Sequence, residues 1–83
     1  MNRRQYFELK RYIRTLCADS VIDLATNVGL NSYETTLLLH INKNNTRIHT
    51  SLDLGICESK VTRDSRKILI KVLDYIKRNN LDV

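Results

Sequence analysis

The chain contains no proline and no tryptophan, and only two glycines, Gly29 and Gly55. Each absence excludes something. Without proline, no helix is interrupted from within. Two isolated glycines cannot build the glycine-rich loop that cradles nucleotide phosphates. No apolar run approaches the ~18 residues of a membrane span, and the basic N-terminal stretch lacks the apolar segment of a secretory signal. Cysteine is scarce too. Cys17 and Cys57 are the only two, too few for a zinc quartet or a disulfide framework, so reduced thiols in a cytoplasmic protein are expected. His40 and His49 have no ligand partner at metal-binding spacing, and His40 on a leucine-rich helix is expected at the core edge. Nothing here supports enzymatic chemistry, a metal or a cofactor.

What remains is a short, basic, aliphatic chain. Its 83 residues predict one domain, which at this size buries ~60–65% of its unfolded surface. Aromatics make up only 6%, so the core anchors are Leu, Ile and Val. Net charge is +5, from 14 Lys and Arg against 9 Asp and Glu. The cations gather at two places. Arg3, Arg4, Lys10, Arg11 and Arg14 lie in the first segment, and Lys60, Arg63, Arg66, Lys67, Lys71, Lys77 and Arg78 in the last, with only Lys43 and Arg47 between. Clustered positive charge favours a polyanionic partner.

Apolar periodicity predicts five helices and no strand. The first spans residues 3–17, with Tyr6, Leu9, Ile13 and Leu16 on one side. Arg3, Arg4, Lys10, Arg11 and Arg14 take the other. A short second helix, about 20–28, is capped by Asp19 or Ser20 and stopped by Gly29. Asn31 or Ser32 caps the third, with Glu34 completing a capping box. It runs to about Asn42, with Leu37, Leu38 and Ile41 inward and Leu39 on the opposite side, so it is expected at the centre. The fourth runs from Thr46 to about Leu54, with Ile48, Leu52 and Leu54 as its buried set. The last runs from about Glu58 to Arg78. At ~100° per residue, Val61, Ser65, Ile68, Leu69, Val72, Tyr75 and Ile76 share one face, while Ser59, Lys60, Arg63, Arg66 and Lys67 share the other. Ile70 projects among the charges.

Leu54-Gly55-Ile56-Cys57-Glu58-Ser59-Lys60-Val61 joins the last two helices through a tight turn, the layout of a helix-turn-helix. This stretch resembles the "Leu-Gly-Ile-Ser-x-x-x-Val" turn of region four of bacterial sigma factors and of the related response-regulator effector domains. Leu30-Asn31-Ser32-Tyr33-Glu34, followed by Leu37-Leu38, resembles the "Leu-Thr-x-x-Glu" helix that opens that domain. The likeness covers about residues 30–78, so the chain divides into an N-terminal basic helix with a short second helix, 1–29, and a sigma-like part, 30–83, within one domain. Three positions depart from the pattern. Cys57 stands at the usual capping serine and Ser65 at a usual core leucine. The usual Ile-Ala pair is met by Thr50-Ser51 counting back from Gly55, or by Ile48-His49 with two extra residues.

The resemblance implies a DNA-binding regulator of transcription, from a bacterium or from a phage or mobile element. Lys60 or Arg63 would donate to guanine, and Ser59 or Thr62 to bases or phosphate. Arg66, Lys67 and Lys71 would meet phosphates, joined by Arg3, Arg4, Arg11 and Arg14 from the first helix. One short helix reads few bases, so a homodimer is expected, with Ile70 and the apolar residues near the C-terminus as contacts. The competing reading is a protein-interaction module that uses a sigma-like fold to bind RNA polymerase or another host protein.

Overall fold

The helices begin where the sequence supplies side-chain acceptors for free backbone amides. In the computed structural model, which describes residues 2–79, α1 (Arg3–Thr15) starts at a capping box. Asn2 accepts from the Gln5 amide, and Gln5 reciprocates. α3 (Ser32–Asn42) starts at a second box, Asn31 with Glu34. Asn31 is thus the cap and Ser32 the first helical residue. At α4 (Arg47–Leu54), the Thr46 hydroxyl accepts from the His49 amide. The starts of α2 (Ala18–Val28) and α5 (Glu58–Arg78) are weaker. Cys17 and Cys57 hold the two cap positions, and neither makes a side-chain cap bond. Among the described residues the chain is all-α, with five helices and no strand.

Cys57→Ser should therefore stabilise the protein. Its backbone is already extended, as a cap requires, and a serine cap is worth about 0.5–1 kcal/mol. The midpoint of thermal unfolding should rise by about 2–8 °C. An unchanged midpoint would mean that the α5 amides are already served by water.

Three helices close by the same device. Gly29 (φ 90°), Asn44 (φ 57°) and Gly55 (φ 68°) follow α2, α3 and α4 in left-handed backbone. The next residue's amide then reaches back to the last turn: Leu30 to Ala25 O, Asn45 to His40 O and Ile56 to Ser51 O, at 2.9–3.1 Å. Gly55 is needed for conformation rather than space, since a Cβ there would meet nothing within 4 Å but would incur the left-handed penalty.

α3 packs against α1, α2 and α5, while α4 packs chiefly on α5. One cluster holds Leu9 and Ile13 of α1, Val21 and Ala25 of α2, Leu37, Leu38 and Ile41 of α3, and Val61, Ile68, Leu69, Val72 and Ile76 of α5. Leu39 is half-buried on the second side of α3. Residues before and after 30 thus share one core.

Three sequence expectations need correction. α1 stops at Thr15, not residue 17, because the Asn42 side chain of α3 donates to the carbonyls of Ile13 and Leu16, both at 2.8 Å, and ends the helix. α2 begins at Ala18, ahead of Asp19 and Ser20. Asp19 lies in its first turn, where negative charge suits the helix dipole, and Ser20 meets the Cys17 sulfur at 3.2 Å. The largest correction is in α4. Thr50 and Ser51 are its buried residues, while Ile48 is 59% and Leu52 78% exposed. Thr50 and Ser51, not Ile48 and Leu52, are therefore the inward residues of α4.

Candidate nucleic-acid interface

The three-residue turn Gly55-Ile56-Cys57 sets α5 against α4. The apolar stripe of α5, starting at Val61, faces the core and leaves Ser59, Thr62, Arg63, Arg66 and Lys67 exposed. These exposed residues divide between two flanks. Ser59, Thr62, Arg63 and Arg66 line an open groove of about 500 Å³, together with Glu58 and with Arg47 from α4. Thr62 and Arg66 also border a neighbouring hollow of about 330 Å³, whose other wall is Asn2, Arg3 and Tyr6 of α1. The start of α4, the first nine residues of α5 and the start of α1 thus form one concave surface. Four of its side chains are cations: Arg3, Arg47, Arg63 and Arg66. Its one carboxylate, Glu58, takes a hydrogen bond from Arg47 at 3.2 Å.

Lys60 and Lys67 belong to the other flank, facing α3. Lys67 borders a small hollow with Tyr33, Glu34 and Asp64. The Lys60 ammonium lies 2.9 Å from Asp64 and 5.5 Å from the Tyr33 ring centre. Its charge is engaged internally. Arg63 is freer, at 4.0 Å from Asp64 with its side chain 64% exposed. Lys71 is also tied down, 2.7 Å from Glu34. On α1, Arg4 pairs with Glu8 at 3.1 Å, and Arg14 donates to the Lys10 carbonyl. Arg4, Arg11 and Arg14 border neither groove hollow.

The tie between α3 and α5 has its own titration behaviour. Tyr33 donates to Asp64 at 2.7 Å. Burial, then that bond, then the carboxylate's charge push the Tyr33 phenol up to about 12. Asp64 is held below the usual carboxylate value, first by the Lys60 bond and then by Tyr33. Glu34 is lowered first by its bond from Lys71. The raised phenol contributes stability below its ordinary pKa near 10, and that share is lost as pH climbs to about 12. The lowered carboxylates contribute stability above their ordinary pKa values, lost as pH falls through the lowered ones. Ultraviolet titration should therefore show a phenolate step near pH 12 that vanishes in Tyr33→Phe. A titration curve that keeps this step in the variant would remove the assignment.

Sequence reasoning missed Arg47 and Tyr6. Arg47 looked isolated between two basic clusters, yet it opens α4 beside the start of α5. The signal lay in the turn length, because a three-residue connection keeps the beginning of α5 within reach of α4. His40 is a hub of hydrogen bonds. Its Nε2 meets Asp53 Oδ2 at 2.8 Å and its Nδ1 meets Asn45 Nδ2 at 2.8 Å, tying α3 to α4 and their loop. The His49 ring lies beside it, tilted by 57° with ring centres 6.0 Å apart. Among the described residues no three His, Cys, Asp or Glu side chains converge on a metal position, and no helix is long and apolar enough to cross a membrane. Both cysteines are free and exposed. Comparison with protein-family models, with curated proteins and with solved structures finds no match.

Proposed function

We propose that the protein is a sequence-specific, DNA-binding regulator of transcription, of bacterial, phage or mobile-element origin. In this reading α4, the Gly55 turn and α5 act as a helix-turn-helix, with the start of α5 in the major groove. The observation that carries it is the concave surface joining Ser59, Thr62, Arg63 and Arg66 to Arg47 and Arg3. Hydroxyls and an exposed guanidinium at the start of such a helix suit base edges. Cations on both sides suit the flanking phosphates. The resemblance of 30–78 to region four of sigma factors supports the same role. Lys60 acts indirectly, by orienting Asp64, and Lys67 and Lys71 form an outer rim. Ile70, 46% exposed, is the dimer contact in this proposal. Of the other contacts expected from sequence, the apolar residues near the C-terminus, those beyond residue 79 lie outside the described residues.

One observation favours a second reading, a protein-interaction module that engages RNA polymerase or another host protein. Ile48 and Leu52 stand four residues apart on the exposed side of α4, and adjacent apolar side chains in water are a common mark of a partner surface. A gel-shift series separates the two. The duplex upstream of the protein's own gene is compared with an unrelated duplex across a range of salt. Preferential binding that weakens steeply with salt supports the DNA reading. No binding at low salt, with a stoichiometric protein partner lost in Leu52→Asp, supports the module.

A further inference from the structure

The apolar stripe of α5 is interrupted once, at Ser65. This residue is only 8% exposed and lies between Val61 and the Ile68–Leu69 pair, where a large apolar side chain would fill the core. Across from it, α4 contributes Thr50, another small residue, 3% exposed. The two leave a cleft of about 230 Å³ between α1, α3, α4 and α5. That exceeds the ~150 Å³ cavity known to admit a benzene ring.

The lining divides by chemistry. Ile41 and Val61 make an apolar wall, with Leu37 fully covered behind it. The Thr50 hydroxyl already donates to the Thr46 carbonyl at 2.9 Å, and both His40 ring nitrogens are engaged by Asp53 and Asn45. No hydrogen bond to another described residue occupies the Ser65 hydroxyl, which borders the cleft. Its oxygen is open to the cleft rather than sealed in the core, so a guest can bond it there. At the rim stand Lys10 and Arg47, and no carboxylate lines the space. Lys10 sits over the Tyr6 ring, 5.3 Å from its centre.

We infer that this cleft binds a small organic anion, with a ring-sized apolar body against Ile41 and Val61, its polar edge on Ser65, and its carboxylate or phosphate between Lys10 and Arg47. Arg47 and Thr62 also border the concave surface outside. An occupied cleft would therefore alter DNA affinity, a consequence that rests on the proposed function, whereas binding of the anion itself does not.

Nitrogen-15 amide spectra of the full chain test the binding directly, with benzoate and phenyl phosphate as probes and benzyl alcohol as the neutral control. At least one anion should give saturable shifts at Thr50, Val61, Thr62 and Ser65, with Kd on the order of 1 mM. Benzyl alcohol should bind about tenfold more weakly. Ser65→Leu should fill the cleft and abolish the shifts. Lys10→Gln, a surface change that leaves the core intact, should weaken anion binding about tenfold without affecting benzyl alcohol. No saturable shift from either anion overturns the site, as do shifts unchanged in a folded Ser65→Leu or in Lys10→Gln. Equal binding of alcohol and anions overturns the anion selectivity. DNA binding without anion binding would remove this inference alone, and anion binding without DNA binding would remove the proposed function alone.

Discussion

Leu38→Ala should lower the midpoint of thermal unfolding by about 10–30 °C. Leu38 is fully buried on the central helix α3, and a buried Leu→Ala change costs about 2–5 kcal/mol in lost transfer energy and residual cavity. Native chains hold roughly 0.05–0.15 kcal/mol per residue, so 83 residues carry about 4–12 kcal/mol in total. A single truncation thus removes a large share. Each kcal/mol shifts the midpoint of a domain this size by about 4–8 °C. The comparison that gives the result meaning is Leu52→Ala, the same chemical change at a position 78% exposed. It should cost no more than about 0.5 kcal/mol. Circular dichroism melts of the two variants decide the matter. Equal losses would show that Leu52 is buried and that α4 does not turn Thr50 and Ser51 toward the core.

Arg63→Ala and Arg66→Ala together should reduce affinity for a specific duplex by about 30-fold or more, and should do so in two distinguishable ways. Arg63 is the candidate base reader, and a lost bidentate contact costs about 1–3 kcal/mol of discrimination. Its removal should narrow the gap between specific and unrelated DNA. Arg66 borders both hollows of the concave surface and is the candidate phosphate contact. Its removal should weaken both duplexes alike and flatten the plot of log affinity against log salt by about 0.9. Arg4→Ala is the matched control, because Arg4 pairs with Glu8 outside that surface. Binding isotherms across salt, one set per variant, carry the test. A double variant with the wild-type slope and the wild-type preference would take α5 out of the DNA reading.

Much of the fold was legible because its signals are local. The box at Asn31–Glu34 and the stops at Gly29 and Gly55 are each read within a few residues. The stripe of α5 extends over enough turns to fix its inward face. α4 failed because it has only eight residues. Over so short a span, Ile48 with Leu52 mimics a buried stripe, and hydrophobicity alone favours them. Packing chose Thr50 and Ser51 instead. They are small enough for close approach of α4 to α5, and their hydroxyls donate to the Thr46 and Ile48 carbonyls at 2.9 and 3.0 Å, so burying them leaves nothing unsatisfied. The end of α1 was misread for a different reason. Asn42, which terminates it, is 29 residues from Ile13 along the chain.

The candidate site was legible by residue type but not by grouping. Lys60 and Arg63 look equivalent in sequence, yet Asp64 and Tyr33 hold the first while the second extends outward. Glu34 likewise holds Lys71 across 37 positions of chain. Joining Arg3 to Thr62 and Arg66 depends on how α1 lies against α5, which no local pattern specifies.

The connections between helices also govern how the structure is reached. Two residues separate α1 from α2, and no connection among the five helices exceeds four. Closing such short loops takes tens of nanoseconds, and helical turns propagate in about a nanosecond per residue. With no proline in the chain, no slow X-Pro isomerisation stands in the way. The time-consuming event is the arrival of α1 and α2 on α5, the contacts most separated in sequence. Folding is then a matter of microseconds to milliseconds, and a nascent chain hides its aliphatic residues almost as soon as α5 is complete.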